Sequence, residues 1–443
     1  MRFFTLHHLY NNSNVLDEDL PVYRAALSKS LNSLSWRPRI ILPIALDPVL
    51  SGRTGELHAT VFAIDLRDIN WDSGSQWGTL LKRYPYGLGF RSRPDSRLWK
   101  LNEELWELTG TQLPIIRADW FVATASRAPL YDQLLGLPKT ALELEKKLGV
   151  DLAAAFRKPV PERISRAGFS RSGVSSQNRL VERSDASYGA YWKSYDFKPD
   201  TGRARLTRFP LGPLNLFPTG QHPWPAQAFE HDGGEIAFSL PNGLQGYMLT
   251  DGHGMRIPEA PVDVVSDALR TSGTPIIVNG LSCMACHQRG IIDFQDTVRD
   301  GSAVFGDAEY HVKQLYPERS QMKRLINEDQ ERFLAALEKA TGPFLHSDSA
   351  TSEPIDSFPE PVGEVARLHR LVQLDLQTIA CELDVADPQE LVTSVGGKTL
   401  KKLGLDSLLR DGTISRAEWE AFAGPSLMQL LARELRYTPV RPL

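Results

Sequence analysis

Five residues carry the chemistry that can be read from this chain: Cys283-Met284-Ala285-Cys286-His287, inside the stretch NGLSCMACHQRG. The 443 residues include only three cysteines, and two of them flank a two-residue spacer with a histidine directly behind. Two thiols one helical turn apart can both add to the vinyl groups on one edge of a porphyrin, and the adjacent imidazole can then reach the iron. Half of a zinc site is a second possibility, and a dithiol redox pair is a third. Zinc needs two further ligands; there is no second cysteine pair, and His311 with an acid is the set that could complete one. A thioredoxin-like pair opens a helix directly after the first strand of a βαβ unit, which position 283 fits poorly. At this chain's residue usage the pattern arises by accident on the order of once in two thousand such chains, so a cofactor is the reading to pursue.

The motif follows a strand-like TPIIVNG and a turn, and MACHQRGII reads as a short helix that presents His287. In this setting the segment resembles the attachment site of c-type cytochromes. That resemblance implies one covalently attached haem c, with Cys283 and Cys286 as the thioether anchors and His287 as the proximal axial ligand. It covers the motif and the helical stretch behind it; the chain departs from small cytochromes c in its length and in the alternating strands before the motif. It further implies a redox role in electron transfer, with a redox partner protein or a small-molecule electron donor or acceptor. The alternatives are a haem enzyme, peroxidase- or oxidase-like, with an open or displaceable distal site, and a haem-based sensor or interaction module. Haem attachment of this kind takes place outside the bacterial cytoplasm, so the expected location is periplasmic or otherwise extracytoplasmic. The opening MRFFTLHHLYNN lacks the pattern of a signal peptide, and an export signal is therefore expected to have been removed.

The sixth ligand separates electron transfer from ligand chemistry. In the resembled family a downstream methionine often fills it, and Met322, shortly after Tyr316-Pro317, is the best positional match; the competing reading packs Met322 as core on one face of QMKRLINEDQERFL. His311 on the preceding helix is the next candidate, followed by Met248, His253 and Met255. A second stretch, RISRAGFSRSGVSSQNRLVERSDASYGAYWKSYDF, offers Arg163, Arg166, Arg171, Arg179 and Arg183 for haem propionates or an anionic partner. Its Tyr188, Tyr191, Trp192, Tyr195 and Phe197 could line a cleft. The competing reading is a long irregular loop with solvated arginines and aromatics packed beneath it.

The elements that must position these groups follow from periodicity. Residues 1–92 read as mixed α/β: a helix in DLPVYRAALSKSLNSLS with Asp19 as a cap, then strands in RIILPIAL and LHATVFAIDL with Gly52 and Gly55 between them. Residues 93–200 read as helical, through SRLWKLNEELWELTG, PLYDQLLGL and TALELEKKLGVDLAAAF, ending in the Arg- and aromatic-rich loop. Residues 201–345 form the haem-bearing region, in which GEIAFSLPNGLQGYMLTDGHGMRI alternates and turns at Asn242-Gly243 and Asp251-Gly252 as an antiparallel meander. Helices follow in DAEYHVKQLYP and ERSQMKRLINEDQERFLAALEKA. Residues 346–362 read as a linker and 363–443 as a C-terminal helical region, with Cys381 a buried thiol. The class expected is α+β: multidomain, mainly helical, with small antiparallel sheets and a cytochrome c-like haem domain.

Composition narrows the function classes. The chain is 42% apolar and 23% charged with a formal charge of -4, and its basic residues are scattered, so no nucleic-acid footprint is present. No apolar run is long enough to span a membrane. His7-His8 has no ligand set at metal spacing beside it. SLLRDGTISRAEWE places Ser407 and Leu409 where a calcium loop requires carboxylates, so a structural helix-loop-helix is expected there.

Overall fold

In a computed structural model, the helices begin and end where their capping residues stand. Ser96 accepts a hydrogen bond from the Trp99 backbone to open Arg97–Thr109, and Gly110 closes that helix in a left-handed conformation. Thr140 and Glu143 form a reciprocal capping box at the start of Ala141–Leu148, which Gly149 terminates. Asp151 then caps Leu152–Arg157. The structure describes residues 1–46, 49–50, 57–90, 96–158, 164–346, 353–421 and 425–440; Gly52, Gly55 and Arg163 lie outside them.

The chain divides into two compact units. One comprises Met1–Leu31, Ile41–Ala125 and Glu364–Leu443; the other comprises Asn32–Ile40 and Ser126–Gly363. The regions 1–92 and 363–443, read from sequence as separate, thus contribute to one unit. The fold is mixed α and β with several small sheets, and among the described residues no helix is long and apolar enough to cross a membrane.

The first unit pairs strand Arg2–Thr5 antiparallel with Val61–Ile64 and parallel with Ile115–Arg117. Its interior holds a network of buried charge. Arg117 donates to Asp119, His8 Nε2 lies 3.2 Å from the same carboxylate, and His369 stands between Asp119 and Glu420. Glu382 takes Arg117 at 2.8 Å, Arg416 at 2.5 Å and the Trp419 indole at 2.8 Å. His8, from the HHL pair, is therefore a half-buried neighbour of this network. Cys381, expected to be buried, is half-buried on Leu376–Glu382. The stretch read as a degenerate calcium loop is a helix start: Glu418 turns back onto the Ser415 backbone as a capping box, so its carboxylate is already engaged.

The second unit is organised by a six-stranded antiparallel sheet. Its strands are Ile164–Phe169, Arg179–Ala186, Gly189–Asp196, Gly233–Ser239, Gln245–Asp251 and Arg256–Ile257, paired in chain order. The last three are the expected meander. The first three correct the reading of this region as an irregular loop. Alternation is hidden there because buried ion pairs occupy both faces. Arg166 and Glu182 pair fully buried on one face, while Arg179–Asp196 and Arg183–Asp329 pair on the other. A strand with arginines on both faces does not read as half-buried, although its charges are neutralised where they stand.

The sheet's two faces pack against different partners. On one, the Tyr191 hydroxyl and the Lys193 ammonium meet Glu145 of Ala141–Leu148, and Phe238 stacks on Trp36. On the other, Asp329 of the long helix Arg319–Leu345 accepts from Arg183 at 2.8 and 3.1 Å and from the Trp192 indole at 3.0 Å. This second face carries the candidate site.

Candidate functional site

Strand Ile277–Val278 delivers the chain to Asn279 and Gly280, and the cysteines stand on the short helix Leu281–Cys286 that follows. The sequence suggests a short helix over MACHQRGII, residues 284–292; the helix instead spans Leu281–Cys286, so His287 is its C-terminal cap. Gly280 is required at its start. Its φ is +85°, and a Cβ there would lie 2.4 Å from the Ser126 carbonyl oxygen and 2.7 Å from the Tyr131 ring. Asn279 is fixed by a 2.7 Å bond from its amide nitrogen to Asp132, and Ser282 donates to Asp267 at 3.2 Å. The motif is thus fastened at the start of a one-and-a-half-turn element too short to hold itself.

His287 has a defined orientation. Its Nδ1 lies 3.0 Å from the Gly290 carbonyl oxygen, and a carbonyl only accepts, so Nδ1 carries the hydrogen. Gly290 reaches this position with φ of +91°. Nε2 is thereby the ring nitrogen turned to the cavity, while the other nitrogen is held by backbone, as in ligating histidines. The ring stacks on Tyr247 with centroids 5.8 Å apart. Nε2 faces Glu235, whose Oε2 is 3.5 Å away.

Glu235 was not singled out by sequence. It sits in GEIAFS, and the register placing Glu235 opposite Leu249 and Ala237 opposite Tyr247 turns all four onto the cavity face. A lone acid in an alternating strand gives no sign that it faces inward. Burial opposes its ionisation, but His287, Cys283 and Arg179 outweigh burial and bring its pKa down to about 2. Burial also opposes protonation of His287, and Glu235 overcomes this to raise the imidazole above its ordinary value.

Both cysteines are held as thiols. Burial, reinforced by the Glu235 carboxylate, pushes Cys283 well above the usual thiol range and Cys286 up to about 12. Among the described residues no group of three or more His, Cys, Asp or Glu side chains is placed to hold a metal ion. His311, the proposed completion of a zinc set, instead stacks on Trp224 and meets Phe156 edge-on.

Cys283, Cys286 and His287 line one cavity of about 930 Å³ in the second unit. That is within the range of about 300–1,000 Å³ typical of small-molecule and cofactor sites. Its floor is the sheet face, with Phe169, Trp192 and Leu249; Val265, Ile291 and Phe294 close other sides. Phe294 stacks on Phe169 and meets Trp192 edge-on, which joins the segment after the motif to the sheet. Most of the exposed wall surface is apolar, and charged residues including Arg179, Asp196, Glu235, Asp251 and Asp267 stand among the lining.

The arginines divide by location. Arg166 and Arg183 are bound to Glu182 and Asp329 and do not line the cavity. Arg179 lines it but is tied to Asp196. Arg171 lines it, is exposed, and has no ion-pair partner among the described residues. Of the aromatics proposed for a cleft, Trp192 alone lines this cavity; Tyr191 and Tyr195 bond Glu145 and Glu182 across the sheet, Phe197 is core and Tyr188 is exposed.

Met322 is not brought to the site. It is buried on Arg319–Leu345 and does not line the cavity, so the competing reading of it as helix core describes its place. The long helix meets this face of the sheet through Asp329, two turns further on.

No family model, no curated protein and no solved structure matches this chain.

Proposed function

We propose that this chain is a c-type haem protein with a redox role, its one haem attached covalently in the cavity beside the 283–287 motif. Cys283 and Cys286 would carry the thioethers, and His287 Nε2 would be the proximal ligand. The observation that carries the reading is the coincidence of three features at one place. The motif lines a cavity of cofactor size, most of the wall surface is apolar, and the Gly290 carbonyl engages Nδ1 so that Nε2 faces the cavity. A ligand at Nε2 takes over the contact now made by Glu235. Arg171 is the cationic group at the wall available to a propionate.

When bound, haem supplies one-electron chemistry at iron, and the protein's levers are the axial ligand, its hydrogen bond and the polarity around it. Here those levers are His287, the Gly290 carbonyl, the apolar wall and Glu235. We further propose an extracytoplasmic location and a redox partner protein or small-molecule electron donor or acceptor. The test is expression in a host competent for cytochrome c maturation, followed by haem staining after denaturing electrophoresis. The wild type should stain. Cys283→Ser with Cys286→Ser should not, while His287→Ala should retain the stain and lose the low-spin spectrum. An unstained wild type overturns the proposal.

A further inference from the structure

We infer that the helix Arg97–Thr109 is a self-association surface, packing antiparallel against the same helix of a second copy of this chain; the inference does not rest on the haem reading above. Leu101, Leu105 and Leu108 recur at the spacing that forms one helical stripe, yet Leu101 is 48% and Leu108 82% exposed. Trp99 and Trp106, seven residues apart, widen the apolar surface on the other side of Asn102 and Thr109, and they are the two exposed tryptophans of the chain's nine. Large apolar side chains grouped in this way mark an interaction site, whereas scattered single ones are normal on a surface.

The charges identify the occupant. Arg97 and Lys100 stand in the N-terminal half of the helix and Glu104 and Glu107 in the C-terminal half, all exposed along one flank of the leucine stripe. This order opposes the helix dipole, which favours acids at the start and bases at the end. An antiparallel copy resolves the conflict: the Arg97 and Lys100 end lies beside Glu104 and Glu107 of the partner subunit, and two-fold symmetry repeats the match at the other end. A parallel copy would set like charges side by side. With 13 residues the helix is about 20 Å long, so the stripe meets its own reversed copy over its whole length. Counting Glu103, the helix has two bases against three acids, which gives no attraction to an anionic membrane surface.

The experiment measures the mass of the full chain, purified from a host competent for cytochrome c maturation, by sedimentation equilibrium over a concentration series. Wild type should be a dimer. Leu101→Glu with Leu108→Glu should be a monomer of unchanged circular dichroism, since both positions are exposed. Arg97→Glu with Lys100→Glu should raise the dimer dissociation constant roughly tenfold or more. Adding Glu104→Lys and Glu107→Lys to that variant should restore the dimer, because reversing both ends recovers the match. A wild type that stays monomeric up to about 100 μM overturns the inference. So does a dimer that survives the leucine substitutions or ignores the charge reversals. A monomeric wild type that floats with vesicles of phosphatidylcholine and phosphatidylglycerol, while the leucine variant does not, makes a lipid surface the occupant and also overturns it.

Discussion

Gly280→Ala should damage the site more than any surface change, because Gly280 sets the start of the cysteine helix. Two costs add. An alanine at φ of +85° is held in a sparsely populated conformation, worth about 1–3 kcal/mol. Its Cβ would also lie 2.4 Å from the Ser126 carbonyl oxygen and 2.7 Å from the Tyr131 ring, and relieving such overpacking costs a further ~1–3 kcal/mol. The total, about 2–6 kcal/mol, is a large share of a domain's ~5–15 kcal/mol stability. Gly220→Ala is the control: φ is +79°, but a Cβ there meets nothing within 4 Å, so only the conformational cost applies. Urea unfolding followed by circular dichroism gives the two differences, and hydrogen exchange of the 279–290 peptide reports whether the loss is local. Covalent haem yield should fall in Gly280→Ala alone. If Gly280→Ala loses no more stability than Gly220→Ala and keeps its haem, the close approach of backbone at this turn is not what positions the motif.

Other substitutions test the surrounding frame. Arg166→Met leaves Glu182 charged and fully buried without its partner, and should cost about 3–5 kcal/mol; the double variant Arg166→Met, Glu182→Leu should recover most of it in the same urea titration. Asp329→Ala leaves Arg183 with Asp185 alone and the Trp192 indole without its acceptor, so stability should drop by about 1–3 kcal/mol and the Trp192 emission should shift to the red. In the first unit, burial opposes protonation of His369, but Glu420 and Asp119 raise its pKa above the ordinary value. Its contribution is complete below the unfolded value of 6.5 and is lost as pH rises through the folded value, so His369→Gln should flatten the alkaline decline in melting temperature. Glu382 is lowered to about 2 against an ordinary 4.5, burial being outweighed by Arg117 and Arg416. Acid unfolding should therefore set in as pH falls below 4.5, and Glu382→Gln should remove part of that dependence.

Much of the local structure is legible in the residues. The capping box Thr140–Glu143, the Asp151 cap and the closing Gly110 and Gly149 mark helix ends through side chains that act on their own backbone. The meander shows itself through Asn242-Gly243 and Asp251-Gly252, where backbone demands fix residue type. The three preceding strands do not, because their polarity is satisfied at long range: Arg183 finds Asp329 in a helix 146 residues away, and no local pattern encodes that. The same distance hides the site's second half. Cys283, Cys286 and His287 announce themselves by spacing, whereas Glu235 and Tyr247 face them only through sheet register. Met322 lies outside the cavity lining, and a position matched along the chain says nothing of which face of a helix meets a cavity.

Residues 283–287 are proposed to anchor a haem. The most direct measurement is the intact mass of the chain matured in a cytochrome c-competent host, followed by mass analysis of the proteolytic peptide spanning 279–290. The account predicts one haem per chain, retained under denaturing acid and recovered on that peptide through both cysteines. A chain of unmodified mass, with both thiols free to alkylation, would contradict it.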